Sequence, residues 1–209
     1  MNNDLYMYEK ELYAKGCQYI GGVDEVGRGP LIGPVVAACV VLPKNFVLEG
    51  LTDSKKLTEK KRDKFYDYII NNCLAWGIGI VGPDVIDDIN IYKASKKAMI
   101  QAIDEVKNKI KVDHVLIDAM PLDIDIPTTS IIKGDAKSIT IAAASVIAKV
   151  TRDKMMYKLD EKYPNYGFGK HKGYPTKKHL MAIREHGLID GYRRSYGPVK
   201  EIIDEYKNC

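Results

Sequence analysis

Residues 35–42 read Val-Val-Ala-Ala-Cys-Val-Val-Leu, with no polar interruption. A strand with one face in water alternates apolar and polar residues, whereas an unbroken run fits a strand covered on both faces. Such a strand needs helices above and below it, which makes the chain α/β.

The rest of the pattern supplies those helices. Residues 19–24 read as a short strand, and 27–34 as a turn rich in Gly and Pro. Residues 58–71 form a predicted helix, capped by Thr58, with Phe65, Tyr68 and Ile69 at helical spacing. A strand interrupted by glycines follows at 74–81, then a short helix at 83–89 and a longer one at 92–109. Residues 115–118 form a short strand ending in a carboxylate, and 128–132 another. After Lys133-Gly134-Asp135 a long helix is expected to about residue 162. Its small, apolar centre (141–150) suits tight packing on a sheet. A wet segment at 163–175 leads to a helix from 176 to about 186, which Gly187 ends, and Pro198 opens a last short helix. Short links between the early strands suggest antiparallel pairs, while a strand that follows helices suits parallel pairing. The simplest solution is a mixed central sheet flanked by helices.

At 209 residues the chain suits one domain. No apolar run is long enough to cross a bilayer, and the N-terminus lacks the pattern of a secretory signal. Cys17, Cys39, Cys73 and Cys209 show no paired spacing and are read as reduced, structural thiols. A cytoplasmic location and no membrane partner are therefore expected. The net charge is only +4, but residues 149–200 hold thirteen Lys or Arg against five Asp or Glu. That concentration is the footprint expected of a phosphate-backbone binder; charge alone leaves a merely solvated helix surface equally open.

Four acids stand where elements end. Asp24 and Glu25 close the first strand, Asp118 closes the strand at 115–118, and Asp135 precedes the long helix. Carboxylates that converge without a cation raise one another's pKa, and a divalent ion removes that conflict. Oxygen-only ligation suits Mg²⁺ or Mn²⁺, and two such ions can drive phosphodiester hydrolysis. Successive strand residues point to opposite faces, so Asp24 and Glu25 share one site only if the backbone turns at once, a turn that Val26-Gly27 could provide. Singly, each acid also fits a surface role, and Asp135 a helix cap.

The stretch Gly27-Arg28-Gly29-Pro30-Leu31-Ile32-Gly33 superficially matches a dinucleotide fingerprint. Its third glycine comes one residue late, Pro30 has no N–H to offer, and an apolar run rather than a helix follows. A Gly-Arg-Gly turn beside metal-binding acids could instead bring peptide groups against a sugar.

Residues 22–38, from Gly22-Val23-Asp24-Glu25-Val26-Gly27-Arg28-Gly29 to Ala38, resemble the opening motif of the ribonuclease HII family. The resemblance continues through Asp53-Ser54-Lys55-Lys56-Leu57, Leu116-Ile117-Asp118, Lys133-Gly134-Asp135, residues 141–153, His171-Lys172-Gly173-Tyr174-Pro175-Thr176 and residues 193–199. It covers nearly the whole chain, in order. It implies a ribonuclease H-like mixed five-stranded sheet flanked by helices, with a small helical C-terminal region. On this reading residues 1–162 form the catalytic core, and residues 163–209 complete the substrate site within one continuous domain. It further implies a monomeric endonuclease that cuts the RNA strand of RNA/DNA hybrids and duplex DNA 5′ of embedded ribonucleotides, leaving 5′-phosphate and 3′-hydroxyl ends. Its metal carboxylates would be Asp24, Glu25, Asp118 and Asp135, with Mg²⁺ or Mn²⁺ as cofactor. Its ribose-reading turn would be Gly27, Arg28 and Gly29, and its junction tyrosine Tyr174.

A 2′-hydroxyl distinguishes RNA from DNA at one nucleotide, and peptide groups of a glycine turn can test for it closely. Lys55, Lys56, Lys170, Lys172 and Lys177 are candidates for phosphate contacts that position a duplex without reading its sequence. The four histidines lack metal-ligand spacing and are read as surface or packing residues, with His171 a candidate substrate contact. Tyr163, Tyr166 and Phe168 are read as packing or loop anchors. A non-catalytic duplex-binding protein on the same fold is the competing reading. The four acids argue against it, since a binder of a polyanion gains nothing from them.

Overall fold

The computed structural model describes residues 5–52, 54 and 57–207. Strand β1 (Ile20–Val26) pairs antiparallel with β2 (Val35–Val41), which pairs antiparallel with β3 (Ala75–Val81). On the other edge of β1, β4 (His114–Asp118) and then β5 (Thr128–Ile131) run parallel to it. The sheet order is β3-β2-β1-β4-β5, so the expected mixed five-stranded sheet is present. The apolar run is β2 itself, its seven residues all buried.

Eight helices surround the sheet among the described residues: α1 (Met7–Ala14), α2 (Glu59–Asn72), α3 (Pro83–Ile89), α4 (Ile91–Lys107), α5 (Ile139–Lys162), α6 (Phe168–His171), α7 (Lys177–His186) and α8 (Gly197–Lys207). The strand alternation sorts β2 into two cores. Ala37, Cys39 and Val41 join Val23 and the α4 residues Ala98, Met99, Ala102 and Val106 on one face. Ala38 and Val40 join Ala142, Ala143, Val146 and Ile147 of α5, with Phe65 and Ile69 of α2, on the other. Burying a Val, Ile or Phe side chain here contributes about 1.5–3 kcal/mol. Gly22 lets the backbone of α5 approach closely: a Cβ there would lie 2.2 Å from the carbonyl carbon of Thr140. This contact seats the N-terminal half of α5 against β1, beside the strand end that carries Asp24.

Helix α1 is absent from the sequence reading. It buries only Glu9 and Leu12, so it shows no apolar stripe. Leu12 packs with Ile20, Leu116, Ile131 and Ile141, and beside it one Glu9 oxygen accepts from the Ser138 hydroxyl (2.6 Å), the Thr140 hydroxyl (2.8 Å) and the Thr140 N–H (3.1 Å). A carboxylate at the N-terminus of a long helix is favoured by the aligned peptide dipoles. Ser138 caps α5, its side chain accepting from the Ile141 N–H. Asp135 instead lies in a short 3₁₀ turn (Gly134–Ala136) ahead of the helix, so it is not the helix cap.

A third core joins the turn at 27–34 to the C-terminal region. Leu31 and Ile32 pack with Met156, Phe168, Ile183, Tyr192 and Val199. Ile32 also forms an antiparallel bridge with Tyr192. Tyr166 and Phe168 are buried here, so the segment at 163–175 is anchored rather than solvated. No helix among the described residues is long and apolar enough to cross a membrane.

Candidate active site and nucleic-acid cleft

A cleft of about 430 Å³ opens at the ends of β1 and β4. Glu25, the Gly27-Arg28-Gly29 turn, Tyr92, Asp118 to Pro121 and Tyr174 line it. The backbone does not turn between Asp24 and Glu25. Strand β1 continues to Val26, with Asp24 opposite Ala38 and Glu25 opposite Ala37. The two acids therefore point to opposite faces, Asp24 toward α5 and Glu25 toward α4. Glu25 and Asp118 line the cleft, whereas Asp24 and Asp135 do not. Register pairs Val23 with Ile117 in the parallel neighbour, so Asp118 comes alongside Asp24.

Asp24 and Asp135 are buried, and Glu25 and Asp118 are partly buried. Asp24 accepts from the Glu25 N–H at 2.7 Å. Asp118 accepts from the Gly134 N–H at 2.6 Å, which draws the turn carrying Asp135 against the end of β4. Burial is the largest influence on the Asp24 carboxyl, and the charges of Glu25 and Asp118 act with it. Together they hold its pKa well above the usual carboxylate range, against hydrogen bonding from Ser145 and the Glu25 amide.

These donors suit a divalent cation. All four supply carboxylate oxygens, the ligands of Mg²⁺ and Mn²⁺, and a cation would relieve the repulsion around Asp24. Among the described residues no group of three or more Asp, Glu, His or Cys forms a ready-made cage. Mg²⁺ typically keeps several waters and takes one or two carboxylates plus substrate phosphates, so a partial oxygen set of this kind fits it.

The Gly-Arg-Gly turn is held from behind. Arg193 is fully buried and makes five hydrogen bonds, one for each N–H of its guanidinium. They reach the carbonyls of Gly27 (2.6 Å), Arg28 (2.9 Å) and Gly33 (2.8 and 3.0 Å), and the Tyr196 hydroxyl (2.9 Å). Tyr196 in turn donates to the Arg28 carbonyl at 2.6 Å. In a trans peptide the C=O and N–H point in opposite directions. With the Gly27 and Arg28 carbonyls turned toward Arg193, the N–H groups of Arg28 and Gly29 point away from it. Neither amide has a hydrogen-bond partner among the described residues. Gly27 adopts φ +97°, and a Cβ there would strike the Arg152 side chain at 2.4 Å, so only glycine fits. The Arg28 side chain lies 3.6 Å from Glu25.

Arg152, also fully buried, ties the same turn to the Tyr174 loop. It donates to the carbonyls of Ile32 (3.2 Å), Pro34 (3.1 Å) and Lys172 (3.0 Å). Burial lowers the pKa of both guanidiniums, and Arg152, at about 10, stays charged at neutral pH. Sequence reasoning missed these two residues, counting them among surface charges. Arg152 carried a signal: it sits four residues from both Ala148 and Met156, on the buried stripe of α5. Arg193 lies in a loop, where its only signal was its place in the motif at 193–199 that resembles the family.

Tyr174 is exposed, and its ring rests on Gly29. Its carbonyl accepts from His179 Nδ1 at 2.8 Å, and His179 Nε2 pairs with the Tyr192 hydroxyl at 2.8 Å. Because a carbonyl only accepts, Nδ1 carries the proton and Tyr192 donates to Nε2. His171 stacks on His179 with ring centres 4.3 Å apart and bonds to the Tyr166 carbonyl and the Gly173 N–H. Both histidines therefore brace the tyrosine loop. The Lys172 ammonium donates to the Gly169 carbonyl and lies 3.6 Å from the centre of the Tyr157 ring. Lys170 and Lys177 are exposed, while Lys55 and Lys56 lie outside the described residues.

The sheet order β3-β2-β1-β4-β5, with carboxylates at the ends of its parallel strands, is an arrangement of the ribonuclease H type. Residues 21–196 match the family model for ribonuclease HII. A ribonuclease HII of Bacillus cereus (strain G9842) is 58% identical over 202 residues, covering 97% of this chain and 78% of that protein. The chain belongs to the ribonuclease HII family. Among solved structures it is similar to the ribonuclease H2 of Pyrococcus horikoshii OT3 (TM-score 0.78, 27% identity, 91% of this chain and 100% of that one). It is also similar to the RNase HII of Archaeoglobus fulgidus, solved in complex with PCNA (TM-score 0.70, 25% identity, 85% and 95%). Activity on RNA paired with DNA and dependence on a divalent metal follow from this membership.

Proposed function

We propose that this chain, acting as a monomer in the cytoplasm, cuts duplex DNA on the 5′ side of embedded ribonucleotides as well as the RNA strand of hybrids, leaving 5′-phosphate and 3′-hydroxyl ends. The observation that carries this reading is the pair of unbonded amides, Arg28 and Gly29, held in the cleft between the acids and Tyr174. Amides that Arg193 prevents from rotating can test one nucleotide for a 2′-hydroxyl, whatever its neighbours are.

In this reading Asp24, Glu25, Asp118 and Asp135 hold Mg²⁺ or Mn²⁺. When bound, two such ions supply an activated water and stabilise the leaving oxygen. Gly27, Arg28 and Gly29 orient the ribose, and Arg28 lies near enough to Glu25 to meet an adjacent phosphate. Tyr174 contacts the nucleotide that follows the ribonucleotide. Lys55, Lys56, Lys172, Lys170 and Lys177 position the duplex through its phosphates. Residues 163–209 complete the substrate site, supported by the hydrogen bonds that join the Tyr174 loop to the turn. The test is cleavage of duplex DNA carrying one ribonucleotide, with Mg²⁺, Mn²⁺ or EDTA. A single metal-dependent cut 5′ of the ribonucleotide is expected. Cleavage of long hybrids with no cut at the single site would overturn the proposal.

A further inference from the structure

Four non-glycine residues adopt positive φ among those described: Asn90 (67°), Ala119 (53°), Lys133 (57°) and Lys172 (51°). Such backbone conformations are unfavourable for residues with a Cβ and gather where a site needs them. Three of the four have an evident purpose. Ala119 follows Asp118, Lys133 lies two residues before Asp135, and Lys172 lies two before Tyr174. The fourth, Asn90, stands two residues before Tyr92, to which the proposed function gives no role.

Asn90 combines φ 67° with ψ 163°, a region almost reserved for glycine. Its side chain accepts from the Tyr92 N–H (3.0 Å) and the Lys93 N–H (3.1 Å), capping α4. This strained cap starts the helix abruptly after α3 and places Tyr92 in its first turn, on the wall of the cleft that also contains Tyr174 and the Gly-Arg-Gly turn. Tyr92 is 45% exposed, and its hydroxyl has no partner among the described residues. The Lys96 ammonium lies 5.0 Å over the ring centre. Lys93 and Lys97 are exposed on the same two turns. An exposed aromatic ring with lysines beside it is the composition that receives a nucleotide, the ring against a base or sugar and the ammonium near a phosphate.

We infer that Tyr92 is a substrate-binding residue, its ring stacking on a nucleotide that flanks the ribonucleotide while Lys96 approaches the adjoining phosphate. The inference rests on the proposed function, since it takes the cleft to hold a ribonucleotide-bearing duplex.

The experiment measures affinity for a short DNA duplex with one ribonucleotide, by fluorescence anisotropy in Ca²⁺, with KM and kcat in Mg²⁺. Tyr92→Ala is expected to raise Kd and KM about tenfold, the lower part of the range for losing one base–aromatic stack, with a smaller change in kcat. Tyr92→Phe keeps the ring and is expected to stay within twofold of the parent. Lys96→Gln is expected to lower the slope of log K against log salt by about one unit. Thermal midpoints of all three should match the parent. Tyr92→Ala within twofold of the parent, or Tyr92→Phe losing as much as Tyr92→Ala, would overturn the inference. A parent protein that fails to bind the duplex would instead overturn the proposed function.

Discussion

The ring of Tyr174 rests on the α-carbon of Gly29 so closely that a Cβ there would lie 3.2 Å from the tyrosine Cε1. The contact joins the turn proposed to read the 2′-hydroxyl to the ring proposed to meet the next nucleotide. A methyl at position 29 must push the exposed ring aside, which costs little stability because the ring is free to move outward. Gly29→Ala is therefore expected to slow cutting at a single embedded ribonucleotide by about tenfold or more, with a melting temperature close to the parent's. Tyr174→Ala should slow the same cut, and the double variant should be little worse than the poorer single one, because both changes remove the same contact. Additive losses in a cleavage time course would show that the two residues act separately.

Arg193 carries a heavier structural load. Its replacement by Lys keeps the charge but removes the planar fork that reaches Gly27, Arg28 and Gly33 together. Leaving several buried carbonyls unpaired should cost about 3 kcal/mol or more, which for a chain of this size lowers the melting temperature by roughly 6–12 °C. The fraction that remains folded should lose its preference for ribonucleotide over all-DNA duplex. Retained discrimination in Arg193→Lys would count against peptide orientation as its basis.

Asp24→Asn removes an ionisable carboxyl from a buried position where the charges of Glu25 and Asp118 disfavour an anion. Two opposite effects are expected. Cleavage with Mg²⁺ or Mn²⁺ should fall below detection, while duplex binding measured in EDTA survives. The protein in EDTA should melt at or above the parent's temperature, because the repulsion is gone. A variant that cuts at the parental rate would remove Asp24 from the metal site.

The sheet was legible because β2 declared itself: an uninterrupted apolar run admits few placements except the middle of a covered sheet. The caps at Thr58 and Gly187 were legible for the same local reason, a residue type matched to a helix end. Helix α1 was not, because Leu12 is its one buried apolar residue and its other anchor is Glu9, an acid whose partners Ser138 and Thr140 lie about 130 residues away in sequence. The acids were visible as residues at strand ends, and the turn expected at Val26-Gly27 is where β1 stops, with Gly27 at φ +97°. Which of the acids would face the cleft was not legible: Glu25 and Asp118 line it, whereas Asp24 and Asp135 are buried and do not. The charge run at 149–200 overstated the basic surface, since Arg152 and Arg193 point inward, Lys149 pairs with Asp153 at 2.7 Å and Arg184 with Glu205 at 3.1 Å. Composition counts charges and cannot tell which of them fold inward.

His179 gives the fold an acid limit. Burial pushes its pKa down to about 4, the charge that forms on His171 acts in the same sense, and hydrogen bonding to the Tyr174 carbonyl opposes them. The unfolded chain takes up a proton near pH 6.5, whereas the folded one takes it up only near 4. Between those values the unfolded state binds more protons, so the stabilising effect is complete above about pH 6.5 and is lost as pH falls toward 4. The size is on the order of 3 kcal/mol for this one group. His171, also held below its ordinary value mainly by burial, adds to the same limb. Denaturant melts from pH 7.5 to 4 should therefore show a decline that His179→Gln makes shallower, although the variant starts from lower stability because it breaks the Tyr192–His179–Tyr174 chain. Equal slopes in the two proteins would mean that acid acts on other groups and that His179 braces the tyrosine loop without setting its pH limit.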